Sequence, residues 1–299
     1  MFDTTPQLNC AGKIPSFDIP RVMGIVNVTP DSFSDGGQNS TTESAIAHAL
    51  QLVSDGADVL DIGGESTRPG AQEISEAEEL QRVIPVIEAL AKQITIPIAI
   101  DTSKPGVMRA AVKAGASIIN DVFALRRDDA LDVAAELKVP VILMHMQGEP
   151  GSMQTAPHYD DAVAEVHSFL TQRIFACEMA GISKKNIVID PGFGFGKSLE
   201  HNLALLAQLQ RFVEMGVPVL AGLSRKSMIG NLTGRDVNDR VFGSVAAALI
   251  AAQNGAKIIR VHDVAATVDA LKVWNAVSRQ GKPVLKSNKP TGIVWPEED

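Results

Sequence analysis

Side chains able to bind an anion recur in this chain where apolar runs end. Arg260 and His262 stand two residues apart in IIRVHD (258–263), and alternate residues of a strand point to the same side. Asn27 ends an earlier apolar run, VMGIVN, and adds an amide. A lone histidine is more often structural, but a guanidinium, an imidazole and an amide at strand ends favour an anion site.

The elements that must carry these residues repeat along the chain as strand-like runs followed by amphipathic helical stretches. The runs end at or near Asn27, Asp61, Asp101, Asn120, His145, Asp190, Gly222 and His262. The spacing predicts helices over 42–55, 75–92, 104–115, 128–138, 160–181, 199–212, 237–254 and 264–280. Eight such cycles predict an α/β fold, a single (β/α)8 TIM barrel. An open doubly wound sheet is the alternative, but it normally carries fewer strands and a Gly-rich dinucleotide loop.

In such a barrel the active site lies at the carboxyl ends of the strands, so the polar run ends should meet at one mouth. Burying polar groups there is costly unless they bind a ligand or each other. Helix capping accounts for one or two of them, such as Asp101 before Thr102-Ser103. It does not account for polar groups on so many strands.

The bulk properties narrow the class of protein. A net charge of −8 with no Lys/Arg cluster argues against a nucleic-acid partner, and no apolar run reaches the ~20 residues of a membrane span. The two cysteines, Cys10 and Cys177, lie too far apart to predict a zinc site or a disulfide framework. We expect a cytoplasmic protein, with residues 1–20 covering the barrel bottom, the barrel over 21–282 and a frayed polar tail over 283–299.

Two long loops rich in Gly, Ser and Pro follow the first two runs, in VMGIVNVTPDSFSDGG (22–37) and DIGGESTRPGA (61–71). Either loop alone is typical of an ordinary surface connection. Together with IDPGFGFGK (189–197), GLSRKSMIG (222–230) and IIRVHD, they resemble the dihydropteroate synthase family of the folate pathway, which sulfonamide drugs inhibit. The resemblance covers roughly residues 8–282.

The resemblance implies that 6-hydroxymethyl-7,8-dihydropterin pyrophosphate and 4-aminobenzoate condense to 7,8-dihydropteroate and pyrophosphate. It assigns to the pterin Asp101, Asn120, Val122, Met144, Asp190, Phe195, Gly222, Lys226 and Arg260. Acceptors on strand ends suit the N–H edge of a pterin, because each mispaired buried polar group costs about 1–3 kcal/mol. For Met144, barrel packing is an equal alternative.

The other substrate parts are assigned in the same way. The resemblance assigns to pyrophosphate Asn27, Thr67, Arg68, Arg260 and His262, and to aminobenzoate Phe33, Thr67, Arg68, Pro69, Phe195, Lys226 and Ser227. It implies Mg2+ with Asn27 as a ligand, and a catalytic set of Lys226, Asp101, Arg260 and His262. Phe33 and Asp35 would complete the pocket only once pterin and magnesium are bound.

No residue type here predicts an activated nucleophile or a general base, which fits a dissociative (SN1-like) displacement. A methyltetrahydrofolate:corrinoid methyltransferase would share Asp101, Asn120 and Asp190 without needing the anion site. A class I aldolase built on Lys226 and a non-catalytic pterin-binding module are the remaining alternatives. The family resemblance and an apolar last helix suggest a homodimer, although the stripe of Val268, Leu271, Trp274 and Val277 is also needed to cover the barrel.

Overall fold

Eight parallel strands form the centre of the protein in the computed structural model, which describes residues 8–10, 12–13, 17–29, 37–66, 72–148, 153–154 and 157–280. The strands are β1 (Arg21–Asn27), β2 (Val59–Gly63), β3 (Ile98–Asp101), β4 (Ile118–Asp121), β5 (Val141–Met144), β6 (Ile187–Asp190), β7 (Leu220–Ala221) and β8 (Ile258–Val261). Their order is β6-β5-β4-β3-β2-β1-β8-β7. A parallel bridge between Ile189 and Val219 joins the two ends of this order and closes the sheet into a barrel.

Helices surround the barrel, as the eightfold repeat predicts. They are α1 (Gly37–Ser54), α2 (Glu76–Ala91), α3 (Pro105–Ala114), α4 (Ala130–Leu137), α5 (Ala162–Met179), α6 (Leu199–Ala207), α7 (Gln210–Val213), α8 (Ser227–Thr233), α9 (Val241–Gln253) and α10 (Val264–Gln280). None of the helices in these ranges is long and apolar enough to cross a membrane.

Local sequence signals explain several helix ends. Ser75 caps α2, and its Oγ accepts a hydrogen bond from the Glu78 amide at 3.2 Å. Gly115 ends α3 with a φ of 120°, and a Cβ added there would lie 2.6 Å from the Cβ of Ala91. Only glycine allows both this backbone conformation and the close approach of α2.

Several elements differ from the sequence prediction, and α1 begins at Gly37 where the sequence predicts a start at residue 42. The helix predicted over 199–212 is two helices, α6 and α7, with a break after Ala207. The short helix α8 was not predicted, because its seven residues include Gly230 and are too few to show an apolar period. The strand β2 continues past Asp61 to Gly63, so this aspartate lies inside the strand and is fully buried.

The interior of the barrel begins with one apolar layer. Each strand contributes one residue to it: Met23, Val59, Ala99, Ile118, Ile142, Val188, Leu220 and Ile258. Leu8, Cys10 and Phe17 of the N-terminal segment are buried in the same cluster. A second, larger apolar cluster lies between the strands and the helices. The barrel is therefore a packed core at this end, not a channel.

Candidate active site

Alternation along the strands places a different layer above the apolar one. Because side chains repeat every two residues, the position two after each interior apolar residue also faces inward. These positions hold Ile25, Asp61, Asp101, Asn120, Met144, Asp190, Gly222 and Arg260. The layer nearer the carboxyl ends of the strands is thus mostly polar, and it contains seven of the predicted strand-end or site residues.

Asp61 connects three strands within this layer. Its Oδ2 accepts hydrogen bonds from Arg260 Nε at 2.6 Å and from Asn120 Nδ2 at 3.1 Å. The same guanidinium donates from Nη2 to Asp101 Oδ2 at 2.8 Å. Arg260 of β8 therefore reaches across the barrel to β2 and β3. Its bidentate use of two carboxylates fixes the plane of the guanidinium.

The electrostatics of the layer follow from this crowding. Burial, and then the neighbouring Asp61 carboxylate, raise the pKa of Asp101 to about 8. Burial likewise raises the pKa of Asp190. Burial opposes the charge on Arg260, but the carboxylates of Asp61 and Asp101 outweigh it and raise the pKa of the guanidinium. The site therefore keeps a fixed positive charge and binds protons more readily than isolated aspartates do.

Lys226 stands on the opposite wall of the mouth. Its Nζ donates a hydrogen bond to the carbonyl oxygen of Phe193 and lies 4.6 Å from the ring centre of Phe195. Burial lowers the pKa of this lysine to about 8. Gly222 lies between the two cationic residues, since a Cβ added there would be 3.9 Å from both Lys226 Nζ and Arg260 Cβ.

A small apolar cluster forms the adjoining wall. It contains the predicted Val122, Met144 and Phe195, together with Phe123, Met146 and Met153. Met144 belongs to this cluster and not to the one between strands and helices, which favours the pocket alternative over barrel packing for its side chain.

The predicted anion-binding residues lie on neighbouring strands. Strand β1, which ends at the partly buried Asn27, pairs with β8, which carries Arg260. His262 follows β8, and its Nδ1 lies 3.1 Å from Ser224 Oγ. Ser227 is the exposed first residue of α8. Phe33, Asp35, Thr67, Arg68 and Pro69 lie outside the described residues.

Known proteins share both the sequence and the barrel fold of this chain. A family model described as pterin binding enzyme matches residues 23–262. The dihydropteroate synthase of Escherichia coli is 55% identical over 257 residues, which cover 86% of this chain and 91% of that protein. The chain belongs to the dihydropteroate synthase family. The members of this family are transferases, and the resemblance predicted from the sequence is confirmed.

Solved structures of the family share the fold. The Xanthomonas albilineans enzyme with 4-aminobenzoic acid is 65% identical with a TM-score of 0.88, covering 93% of this chain and 100% of that one. Its complex with 7,8-dihydropteroate aligns with a TM-score of 0.85 at 62% identity and the same coverage. A sulfonamide complex of the Yersinia pestis enzyme has a TM-score of 0.87 at 50% identity and covers 91% of this chain and 99% of that one. The predicted (β/α)8 barrel is confirmed.

Sequence reasoning gave no role to two groups that hold the site of this family member together. Asp61 appeared only as a strand end, although it joins Arg260 to Asn120. Lys197 is buried, and its Nζ lies 2.9 Å from His145 Nδ1 and from the carbonyl oxygens of Gly192 and Phe195. The signal for Lys197 was its place at the end of the glycine-rich motif, where a long cationic side chain can satisfy several loop carbonyls.

A third group, Glu65, Lys104 and Glu79, lies at the base of the second loop. Lys104 Nζ bonds to Glu65 Oε2 at 2.5 Å and to Glu79 Oε2 at 2.7 Å, while Glu65 Oε1 accepts from the Ile74 amide at 3.1 Å. These contacts tie the residues before and after 67–71 to the start of α3. The spacing of 39 residues between Glu65 and Lys104 gave no sequence signal for this contact.

Proposed function

We propose that this family member condenses 6-hydroxymethyl-7,8-dihydropterin pyrophosphate with 4-aminobenzoate, giving 7,8-dihydropteroate and pyrophosphate. The observation that carries the proposal is the polar layer at the mouth of the barrel, where Asp61 and Asp101 bind Arg260 and Asn120 donates to Asp61. The Xanthomonas albilineans complexes named above, with 4-aminobenzoic acid and with 7,8-dihydropteroate, support the same chemistry.

The pterin ring would bind in the polar layer. Asp190, Asn120 and Asp101 supply acceptors from three strands, and the amide of Gly192 already occupies one oxygen of Asp190 at 2.7 Å. The raised pKa of Asp101 allows this group to donate as well as accept, which suits a heterocycle with both kinds of edge atom. Lys226 would donate to the ring, and the cluster of Val122, Met144 and Phe195 would cover one face. Arg260 would lie against the ring as well as the leaving group.

The pyrophosphate would bind where β1 and β8 meet, between Asn27, Arg260 and His262, with Thr67 and Arg68 from the second loop. In the described residues no group of three His, Cys, Asp or Glu side chains could hold a metal. The amide oxygen of Asn27 nevertheless fits Mg2+, which commonly keeps waters and binds substrate phosphates with one or two protein ligands, while Arg260 and His262 would contact the pyrophosphate and not the ion. Bound near Asn27, the ion would neutralise charge on the leaving group.

The chemical step would be a dissociative displacement. The bond between the pterin methylene carbon and the pyrophosphate oxygen breaks with its electron pair on oxygen, and Arg260 and His262 stabilise that charge. The amine nitrogen of 4-aminobenzoate then bonds to the methylene carbon and releases a proton to water. The protein orients the reactants and keeps water away from the methylene carbon, so no side chain needs to act as a nucleophile.

The aminobenzoate would lie between Lys226, Phe195 and the exposed Ser227, closed over by Phe33, Thr67, Arg68 and Pro69. A sulfonamide would occupy the same place, and the Yersinia pestis structure with a sulfonamide drug supports binding of this class of molecule. Because the loops would complete the pocket only with pyrophosphate and magnesium near Asn27, a sulfonamide should bind tightly only with magnesium pyrophosphate present. Calorimetric titration with and without magnesium pyrophosphate tests this order, and equal affinities would refute it.

The assay that tests the function follows pyrophosphate release from the pterin substrate, with and without 4-aminobenzoate. We expect release to be coupled to formation of dihydropteroate and to require magnesium. The same assay with deuterium at the reacting methylene tests the mechanism, since a dissociative step gives a normal secondary isotope effect. If no pyrophosphate is released when both substrates are present, the proposed function is refuted. If pyrophosphate is released with an isotope effect of unity, only the dissociative step is refuted.

We also propose that the protein is a cytoplasmic homodimer. Of the predicted stripe on α10, Leu271 is buried and Trp274 packs on the core, so these residues cover the barrel. Val277 remains exposed, as does Phe242 on the neighbouring helix α9, which is 86% exposed. Exposed apolar side chains on adjacent helices support an interface. Sedimentation equilibrium of the wild type and of Phe242→Asp tests the dimer; a wild-type monomer at micromolar concentration would refute it.

A further inference from the structure

Arg225 has an unusual backbone conformation in the turn between β7 and α8. Its φ is +58°, in the left-handed region that disfavours residues with a Cβ. Such a conformation persists only where the surroundings hold it, and it occurs often at functional sites. The reasons for the conformation therefore lie in the contacts of Arg225.

Three contacts fix this residue. Its guanidinium donates to both carboxylate oxygens of Asp263, from Nε at 3.0 Å and from Nη2 at 2.6 Å. Its backbone amide donates to Ser244 Oγ at 2.9 Å, and its carbonyl oxygen accepts from Arg240 Nη1 at 3.0 Å. Asp263, which follows β8, thus holds the side chain of Arg225. Its backbone is held by Arg240, directly before α9, and by Ser244, in the first turn of α9.

The approach of α9 depends on a glycine in α8. A Cβ added at Gly230 would lie 2.3 Å from Arg240 Nη2, so only glycine leaves room for this guanidinium to pass α8 and reach the Arg225 carbonyl. Arg240 also donates from Nε to the carbonyl of Arg235 at 2.9 Å. The contact with Arg225 is therefore part of a close-packed junction and not of a free surface side chain.

The two neighbours of Arg225 face the site. Ser224 Oγ accepts from the His262 amide at 3.2 Å and lies 3.1 Å from His262 Nδ1. Lys226 reaches the Phe193 carbonyl and the Phe195 ring. The partner carboxylate, Asp263, directly follows His262 in the chain. The ion pair thus lies one residue away from a proposed pterin-binding group and one residue away from a proposed anion-binding group.

We propose that Arg225 and Asp263 are positioning residues that set the distance between Lys226 and His262. The proposal rests on the proposed function for the identity of the substrates. A substrate that carries a pterin and a pyrophosphate on one methylene can react only when both parts are held at the right separation. The Arg225–Asp263 pair fixes that separation because it joins the ends of β7 and β8 beyond the last backbone bonds between them.

The test compares Arg225→Ala, Arg225→Lys and Asp263→Asn with a matched control, Arg21→Ala. Arg21 forms an ion pair of similar exposure with Asp58, at 3.2 Å, at the other end of the barrel. We expect Arg225→Ala to lower kcat/KM for the joined pterin pyrophosphate about 10- to 100-fold, while affinities for a phosphate-free pterin and for pyrophosphate alone change less than about threefold. Arg225→Lys should restore little, because an ammonium cannot make the bidentate contact.

A second readout does not require turnover. Competitive acetylation of Lys226, followed by peptide mass spectrometry, measures the pKa that burial now lowers to about 8. Arg225→Ala should move this pKa toward its ordinary value as the Nζ becomes exposed, and Arg21→Ala should not. An unchanged Lys226 pKa in Arg225→Ala, or equal losses of affinity for the joined substrate and for both separate parts, would overturn the positioning role. Absence of turnover in the wild type would refute the proposed function alone.

Discussion

Replacing Asp61 with asparagine should weaken the hold on Arg260 without changing the shape of the site. The asparagine keeps one oxygen that accepts from Arg260 Nε and Asn120 Nδ2. The stability lost is therefore the difference between hydrogen bonds to a charged acceptor and to a neutral one. Hydrogen bonds to charged groups contribute about 1.5–3 kcal/mol and neutral ones about 0.5–1.5 kcal/mol, so we expect a loss of about 1–2 kcal/mol in the free energy of unfolding at neutral pH. Full burial of Asp61 justifies using the undiminished difference.

The same substitution should change how Asp101 titrates. Burial and then Asp61 raise the pKa of Asp101 to about 8, while Arg260 lowers it. Removing the Asp61 charge takes away one repelling carboxylate and one competitor for Arg260, so both changes lower the pKa of Asp101. An acid whose pKa is higher in the folded state binds protons more strongly there, so the wild type loses stability as pH rises from about 4 to about 8. The variant should lose less stability across this window.

Carboxyl 13C NMR of aspartate-labelled protein measures the pKa of Asp101, and urea unfolding across the same pH window measures stability. The matched control is Asp58→Asn, since Asp58 bonds to Arg21 at 3.2 Å and to the Val22 amide at 2.9 Å far from the mouth. It should leave the titration of Asp101 unchanged. An Asp101 pKa that is the same in Asp61→Asn and the wild type would refute the electrostatic reasoning.

Three further substitutions test the proposed pocket and its support. Asp190→Asn should weaken binding of a phosphate-free pterin by about 1–3 kcal/mol in a calorimetric titration; unchanged affinity would remove this residue from the site. Gly192→Ala should destabilise the protein far more than Gly181→Ala. Both glycines have a positive φ, but a Cβ at residue 192 would lie 1.8 Å from the His145 carbonyl oxygen, whereas one at residue 181 would meet no atom within 4 Å. Equal thermal shifts would contradict this. Lys197→Met should cost about 1–3 kcal/mol for each acceptor left unpaired, measured by urea unfolding, and an unchanged midpoint would refute its structural role.

Much of the fold was predictable because each strand and each long helix of a parallel barrel shows its own hydrophobic period in the sequence. Each interior strand position repeats every two residues, so the polar residues at run ends indicated the layer that faces the mouth. The break between α6 and α7 and the existence of α8 were not predictable in this way. Short helices depend on neighbours, and α8 is fixed by contacts with α9 through Gly230.

The placement of polar residues at one mouth of the barrel was predictable, and the contacts between them were less so. Asp101, Asn120, Asp190 and Arg260 all face the same mouth, as the run-end positions of the first three and the Arg-x-His spacing of the last indicated. The bond between Asp61 and Arg260 joins residues 199 positions apart, and it depends on which strands become neighbours when the barrel closes. Sequence spacing carries no information about such a contact. For the same reason, the sequence did not predict the contacts of Lys197 Nζ with the side chain and carbonyl oxygen of His145.

The apolar layer with Leu8, Cys10 and Phe17 has a consequence for the order of folding. Its members include residues of the N-terminal segment and one residue of each strand up to β8, and Lys257 Nζ donates to the Phe17 carbonyl oxygen across 240 positions at 3.2 Å. During synthesis the segment with Leu8, Cys10 and Phe17 and strand β1 emerge before the other strands, but their partners on β8 emerge after all of them. The lower layer therefore remains incomplete, and its apolar residues exposed, until almost the whole barrel has been made.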